Sequence, residues 1–448
     1  MRIEKDALGD MEIGEDVLWG INTQRAIGNF DLRGRNVNKN LIHGIVTVKK
    51  AAAMAYQKLG VKPEVYEAIE MACDEVLAGK HEDCFPVLAL QGGAGTSTNM
   101  NVNEVLSNLA LKHMGKKCGE YDIIHPLDDV NRGQSTNDVY PTGLRIAAIR
   151  LLRELSDECS KLQTALQEKE NEFAEIQKLG RTELMDAVPV TLGEEFGAYA
   201  QAVARDRWRL YKVEERLRQV NIGGTAVGNS DNADRQFCYY IIENLRRLTG
   251  IGLAVAEYPM DITQNNDVFV EVSGLLKALA VNLSKIAGDL RLMNMGPKGG
   301  IGEIHLVDLQ QGSTIMPGKV NPVIPELTIQ VSMKIMANDT AIANAASRGE
   351  FELNAFLPLI ADMILESLEL LTDTVKAFRT KAVETVIADE KRCLENLEHS
   401  YAFATEYVGK LGYEEVSRII RENSPEKARG LLTEKYRILQ KTFENTGD

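Results

Sequence analysis

Three observations predict an all-α fold built on a long central helical bundle. Apolar residues recur at alternating spacings of four and three, glycine and proline cluster where these stretches stop, and no alternating or βαβ pattern competes. Residues 1–138 read as an N-terminal mixed, mostly helical domain, 139–388 as the central long-helix bundle and 389–448 as a small C-terminal helical domain. The first long stretch runs from 143 to 179. Leu152, Leu155, Cys159, Leu162, Leu166, Phe173 and Ile176 share one face of it, and Gly180 closes it. Further stretches cover 192–220, 267–295, 326–346 and a segment from Pro358 into the 380s. The stretch at 267–295 has no proline, and Val272, Leu276, Leu279, Leu283, Ile286, Leu290 and Met293 form its stripe. Gly296, Pro297, Gly299 and Gly300 stop it. A helix of about 30 residues is about 45 Å long, so such stripes bury only against one another or against other subunits.

At 448 residues the chain has room for about three structural units of roughly 150 residues. Its 51 Lys and Arg against 65 Asp and Glu leave a formal charge of −14. That charge disfavours nucleic acid as a partner, because phosphate contacts need basic side chains in place of counterions. Met1-Arg2-Ile3-Glu4-Lys5-Asp6 opens the chain with charge instead of an apolar signal region, and no apolar run reaches the roughly 18 residues of a membrane span. A cytoplasmic protein without a membrane partner is expected. Cys73, Cys84, Cys118, Cys159, Cys238 and Cys393 are scattered, with no Cys-x-x-Cys pair and no histidine cluster beside them. Reduced thiols and no metal site are expected.

Polar segments rich in Gly, Ser, Thr and Asn occupy 91–103, 131–142, 221–232 and 297–322. Gln91-Gly92-Gly93-Ala94-Gly95-Thr96-Ser97 lacks the Gly-Lys-Ser/Thr ending of a nucleotide loop. Gly312 to Gly318-Lys319 has the wrong glycine spacing, and Val320 follows its lysine. Backbone N–H groups exposed by glycine beside the Thr96 hydroxyl suit a small carboxylate instead. Gln134-Ser135-Thr136-Asn137-Asp138, taken alone, reads as a helix N-cap. Arg181, just after a long helix, reads as a structural ion-pair partner. The most specific stretch is Gly312-Ser313-Thr314-Ile315-Met316-Pro317-Gly318-Lys319-Val320-Asn321-Pro322, which has the make-up of a mobile lid: glycines near its ends and donors along it.

Together these motifs resemble the fumarase/aspartase superfamily, and within it the aspartase branch. The resemblance runs over nearly the whole chain. It includes Glu4-Lys5-Asp6, residues 19–26, GGAGTSTNMNVNE at 92–104, QSTND at 134–138, GRTELMDAVP at 180–189 and GSTIMPGKVNP at 312–322. It implies reversible elimination of ammonia from L-aspartate to fumarate, with no metal and no cofactor. It also implies a homotetramer whose long helices form a shared core and whose active site draws on three subunits. By motif position Ser313 is the expected general base, acting as an alkoxide near the Lys319 charge. Thr96, Ser135, Thr136 and Thr314 are expected on the substrate β-carboxylate, Thr182, Lys319 and Asn321 on the α-carboxylate, and Asn137 near the amino group.

Three departures from the family pattern bear on the substrate. Thr314 replaces the second serine of the usual Gly-Ser-Ser and keeps the hydroxyl. Glu183 stands where fumarases carry a histidine that would help to handle water. A carboxylate there argues against hydration and, by Coulomb attraction, favours a cationic leaving group. Gly228-Asn229-Ser230-Asp231-Asn232 replaces the family's usual Gly-Thr-Gly. The alternatives are a C–N lyase acting on an N-substituted aspartate or related amine, a fumarate hydratase, or a non-catalytic scaffold. Intact Ser313, Lys319 and Asn321 argue against the scaffold.

Overall fold

The structure, a computed structural model, describes residues 1–445. In chain order it begins with the hairpin β1 (Arg2–Asp6) and β2 (Gly9–Ile13), followed by α1 (Ile21–Asn29), α2 (Lys39–Lys58), α3 (Pro63–Leu77) and α4 (Thr96–His113). The long α5 (Thr136–Glu172) leads to β3 (Gln177–Thr182) and β4 (Met185–Thr191). Then come α6 (Leu192–Leu217), β5 (Gln219–Val220), α7 (Arg235–Thr249), β6 (Ala254–Val255) and α8 (Pro259–Gln264). Next are α9 (Asp267–Met293), β7 (Ile304–His305), α10 (Val323–Ala346), α11 (Leu357–Phe378) and β8 (Ile387–Ala388). The chain ends in α12 (Glu390–Glu398), α13 (Thr405–Leu411), α14 (Tyr413–Glu422) and α15 (Pro425–Asn445). Two compact units result. One contains 1–156, 208–280 and 333–372; the other contains 157–207, 281–332 and the residues from 373 on. Helices α5, α6, α9, α10 and α11 each contribute residues to both.

The fold is all-α, with four two-stranded sheets among the described residues. On α9 the whole expected stripe is buried: Val272, Leu276, Leu279, Leu283, Ile286, Leu290 and Met293. Truncating one such leucine to alanine costs about 2–5 kcal/mol. Among the described residues no helix is long and apolar enough to cross a membrane. All six cysteines are free thiols.

Three expected helix boundaries are corrected. Helix α5 starts at Thr136, seven residues before the expected 143, with Pro141 inside it. Proline cannot donate to the carbonyl four residues back, that of Asn137. The Asn221 side chain supplies the donor instead, with Nδ2 2.9 Å from the Asn137 oxygen. The same helix ends at Glu172, so Phe173 and Ile176 lie beyond it and Gly180 sits inside β3. Residues 177–182 pair antiparallel with 185–191, with an irregularity between Leu179 and Arg181. The hairpin escaped the sequence reading because its turn, Glu183-Leu184, has φ of 54° and 66° without the Asn-Gly pair that normally marks such turns. Likewise α6 stops at Leu217, and Gln219–Val220 is a strand paired in parallel with β6.

Helix α1 has Gly20 at its N-cap and so no capping side chain of its own. The buried Glu104 carboxylate on α4 takes that role. It accepts the N–H groups of Gly20 and Asn22 at 2.8 Å each and of Thr23 at 3.1 Å, and the Thr23 hydroxyl at 2.6 Å.

Candidate active site

The expected site residues fall into two groups, one in each compact unit. In the first, Thr96 opens α4 and is exposed. The turn before it requires glycine. Gly95 has φ +94°, and a Cβ there would lie 2.4 Å from the Tyr140 ring. Ser135, Thr136 and Asn137 begin α5 in a reciprocal cap. Ser135 Oγ accepts the Asn137 N–H at 3.1 Å, and Asp138 Oδ1 accepts the Ser135 N–H at 3.0 Å. The capping role is therefore real, yet it uses Ser135 only as an acceptor, so its hydroxyl proton is still available to a ligand.

Residues 221–226 are laced to this turn. The second Asp138 oxygen accepts Gly223 N–H at 3.2 Å and Thr225 N–H at 2.9 Å, while Asn137 Nδ2 donates to the Ala226 carbonyl at 2.8 Å. The departing segment beyond, 228–232, forms its own turn. Ser230 and Asn232 have positive φ there, and Asn229 Nδ2 donates to Asp231 at 2.7 Å.

In the second unit, Ser313, Thr314, Lys319 and Asn321 sit on the loop between β7 and α10. The loop is tied at its neck: Gly312 N–H donates to the Lys319 carbonyl at 2.8 Å, and Asn321 Nδ2 donates to the Gly312 carbonyl at 3.0 Å. A Cβ at 312 would lie 2.6 Å from the Lys319 oxygen, so this closure requires glycine. Inside the loop, Ser313 Oγ accepts two backbone N–H groups, from Ile315 at 3.2 Å and Met316 at 2.9 Å. Converging amides of this kind stabilise negative charge on an oxygen. A cleft of about 870 Å³ lies beside the loop, lined by Lys319 and Asn321 with Arg291, Asn294, His305 and Glu326. Thr182 and Glu183 stand exposed at the tip of the β3–β4 hairpin.

Residues 9–337 match the family described as Lyase. An aspartate ammonia-lyase from Bacillus sp is 43% identical over 94% of this chain and 90% of its own length. One from Helicobacter pylori is 43% identical over 94% and 91%. Among solved structures, a Brucella melitensis protein described as fumarate lyase:delta crystallin superposes with a TM-score of 0.92 at 41% identity, covering 99% of both chains. A class II fumarase from Schistosoma mansoni gives 0.92 at 30% identity, covering 96% of this chain and 95% of its own. The chain belongs to the fumarase/aspartase superfamily. It is an enzyme of the carbon–nitrogen lyase class.

In this lyase Arg181 is an ion-pair partner, as its position suggested. With Lys178 it meets the fully buried Glu303, at 2.9 Å from Arg181 and 3.1 Å from Lys178, and Asn396 adds a bond at 3.0 Å. Burial pushes the Glu303 carboxyl up, but Arg181 and Lys178 outweigh it and hold the carboxyl below the usual range. The hairpin carrying Thr182 and Glu183 is thereby fixed to the segment that enters the loop.

Sequence reasoning missed the layer beneath the first group: Lys49, Asn99, Asn131 and Asp138. The signal was legible in Asn99 and Asn103, which lie four apart on a buried helix face that should be apolar. Burial pushes Asp138 up to about 6, against the N–H groups it accepts and the Lys49 charge.

Proposed function

We propose that the lyase eliminates ammonia from L-aspartate, reversibly, to give fumarate, with Ser313 as the general base. The relatives' activity supports the substrate, and the paired N–H groups on Ser313 Oγ carry the mechanism. An alkoxide is a competent base for a carbon acid, and a serine hydroxyl reaches that form only where its anion is stabilised more than in water. The Ser313 alkoxide takes the Cβ proton, and the C–H electron pair moves into the adjacent carboxylate as an enediolate dianion. That pair then forms the Cα–Cβ double bond while the Cα–N bond breaks and its electrons leave with nitrogen as ammonia.

The enediolate needs donors aimed at its oxygens, each worth about 2.7–4 kcal/mol in comparable sites. Thr96, Ser135, Thr136 and Thr314 supply them, while Thr182, Lys319 and Asn321 hold the α-carboxylate and Asn137 lies near the amino group. Glu183 faces the ammonium and selects it over a hydroxyl leaving group. The altered 228–232 turn and Glu183 favour a second reading, a larger N-substituted aspartate.

The residue groups come from different chains of a homotetramer. Support comes from Trp208, Tyr211 and Met333, large apolar side chains exposed on α6 and α10. Free thiols suit the reducing cytoplasm.

Following fumarate by ultraviolet absorbance with aspartate, malate and bulkier amino donors tests the substrate. Ser313→Ala is expected to lower kcat about 10³-fold, within the range for a general base. Turnover close to that of the parent protein would discard the mechanism.

A further inference from the structure

Lys49 lies on α2 with 1% of its surface exposed, and it has no substrate-facing role in the mechanism above. Its hydrogen-bond partners are amide oxygens: Asn131 Oδ1 at 2.8 Å and Gln134 Oε1 at 3.1 Å. In its charged form Lys49 donates and never accepts, so Asn131 turns its carbonyl towards it, as the 2.8 Å contact shows. The same Asn131 oxygen also accepts from Asn99 Nδ2 at 3.0 Å and Asn103 Nδ2 at 3.2 Å. Asn99 Nδ2 reaches one atom further, to Thr136 Oγ1 at 3.1 Å.

The direction of every link follows from the charge at the base. Because Asn99 presents its amide protons to Asn131 and Thr136, its own carbonyl oxygen is buried with no partner, and so is that of Asn103. A buried unsatisfied carbonyl is costly, so an orientation that leaves two of them is imposed from elsewhere. With one of its lone pairs taken by the Asn99 amide, the Thr136 hydroxyl cannot turn its proton towards Asn99 and keeps it for a partner on another side. We propose that Lys49 is a positioning residue which, through Asn131 and Asn99, fixes the Thr136 hydroxyl as a hydrogen-bond donor to the substrate carboxylate. This rests on the assignment of Thr136 to the β-carboxylate made above.

The test compares kcat and KM for aspartate in Thr136→Val, Lys49→Met and Asn99→Leu, and in each of the latter two combined with Thr136→Val. Each single variant is expected to lose at least about tenfold in kcat/KM, the value of one well-placed hydrogen bond. In the Thr136→Val background the Lys49 and Asn99 changes should cost less than twofold more, because the hydroxyl they orient is gone. Asn103→Leu removes a donor to the same Asn131 oxygen without touching Thr136. Its loss, in stability or rate, should be the same in both backgrounds, which separates orientation from general loosening. Asn99→Leu decides the matter if Lys49→Met does not accumulate as folded protein. Losses that multiply in the double variants, or wild-type kcat/KM in Asn99→Leu beside a crippled Thr136→Val, overturn the relay alone. Full activity in Thr136→Val removes the underlying assignment and the relay with it.

Discussion

The two groups of site residues are held in different ways. Ser135, Thr136 and Asn137 stand on a largely buried polar layer in which Lys49, Asn99 and Asn131 bond to one another, while Asn99 and Asp138 bond to the turn above. Ser313, Thr314 and Lys319 have no such layer. Their loop closes on its own backbone, and Thr314, Lys319 and the residues between them are exposed. Gripping a carboxylate requires donors fixed in advance, which burial supplies. Carrying a base over a bound substrate requires a segment that moves as a piece, and a loop pinned only at its neck supplies that.

The largest expected difference is in stability. Asn131→Leu leaves the buried Lys49 ammonium without its 2.8 Å acceptor, and a loss of about 3 kcal/mol in denaturant unfolding is expected. A cost near zero would mean that the layer is looser than its geometry. Next is a pH effect from the same lysine. Burial pulls Lys49 down to about 7, opposed by the negative charge of Asp138. Between about 7 and the unfolded value near 10.4, the unfolded chain holds a proton that the folded chain lacks. Stability therefore rises with pH across that window, by up to about 1.4 kcal/mol per pH unit, and the rise is absent from Lys49→Met. Parallel unfolding curves for the two proteins over this range would contradict the shift.

On the loop the balance reverses. Gly312→Ala places a Cβ against the Lys319 carbonyl and opens the neck, so kcat should fall about tenfold while the thermal midpoint stays put. A fall in midpoint with kcat intact would erase the contrast between the groups. The smallest effect is expected at the hairpin tip. Glu183→Gln should narrow the preference for aspartate over malate by a few-fold, about 1 kcal/mol for an exposed charge. An unchanged ratio would take Glu183 out of leaving-group selection.

The long helices were legible because their apolar stripes repeat at helical spacing within each segment, as 272 to 293 shows. The β3–β4 hairpin was not, because its strands are stabilised by pairing with each other and Glu183-Leu184 carries no glycine or asparagine. Among the expected site residues, the family resemblance pointed to Ser135 and Ser313; Ser313 Oγ accepts two backbone N–H groups and Ser135 Oγ one. Lys49 was illegible for a physical reason. Adjacent Lys50 has the same chemistry but forms ion pairs with Glu70 and Asp74, and only the three-dimensional surroundings distinguish the two.

Pro141 leaves the Asn137 carbonyl in the opening turn of α5 short of one donor, and the substitute arrives from Asn221, 84 residues beyond Asn137. A peptide cut out around 134–150 therefore lacks the means to complete that turn by itself. That end of the helix, proposed above to grip the carboxylate, completes its hydrogen bonding only with this distant stretch docked on it.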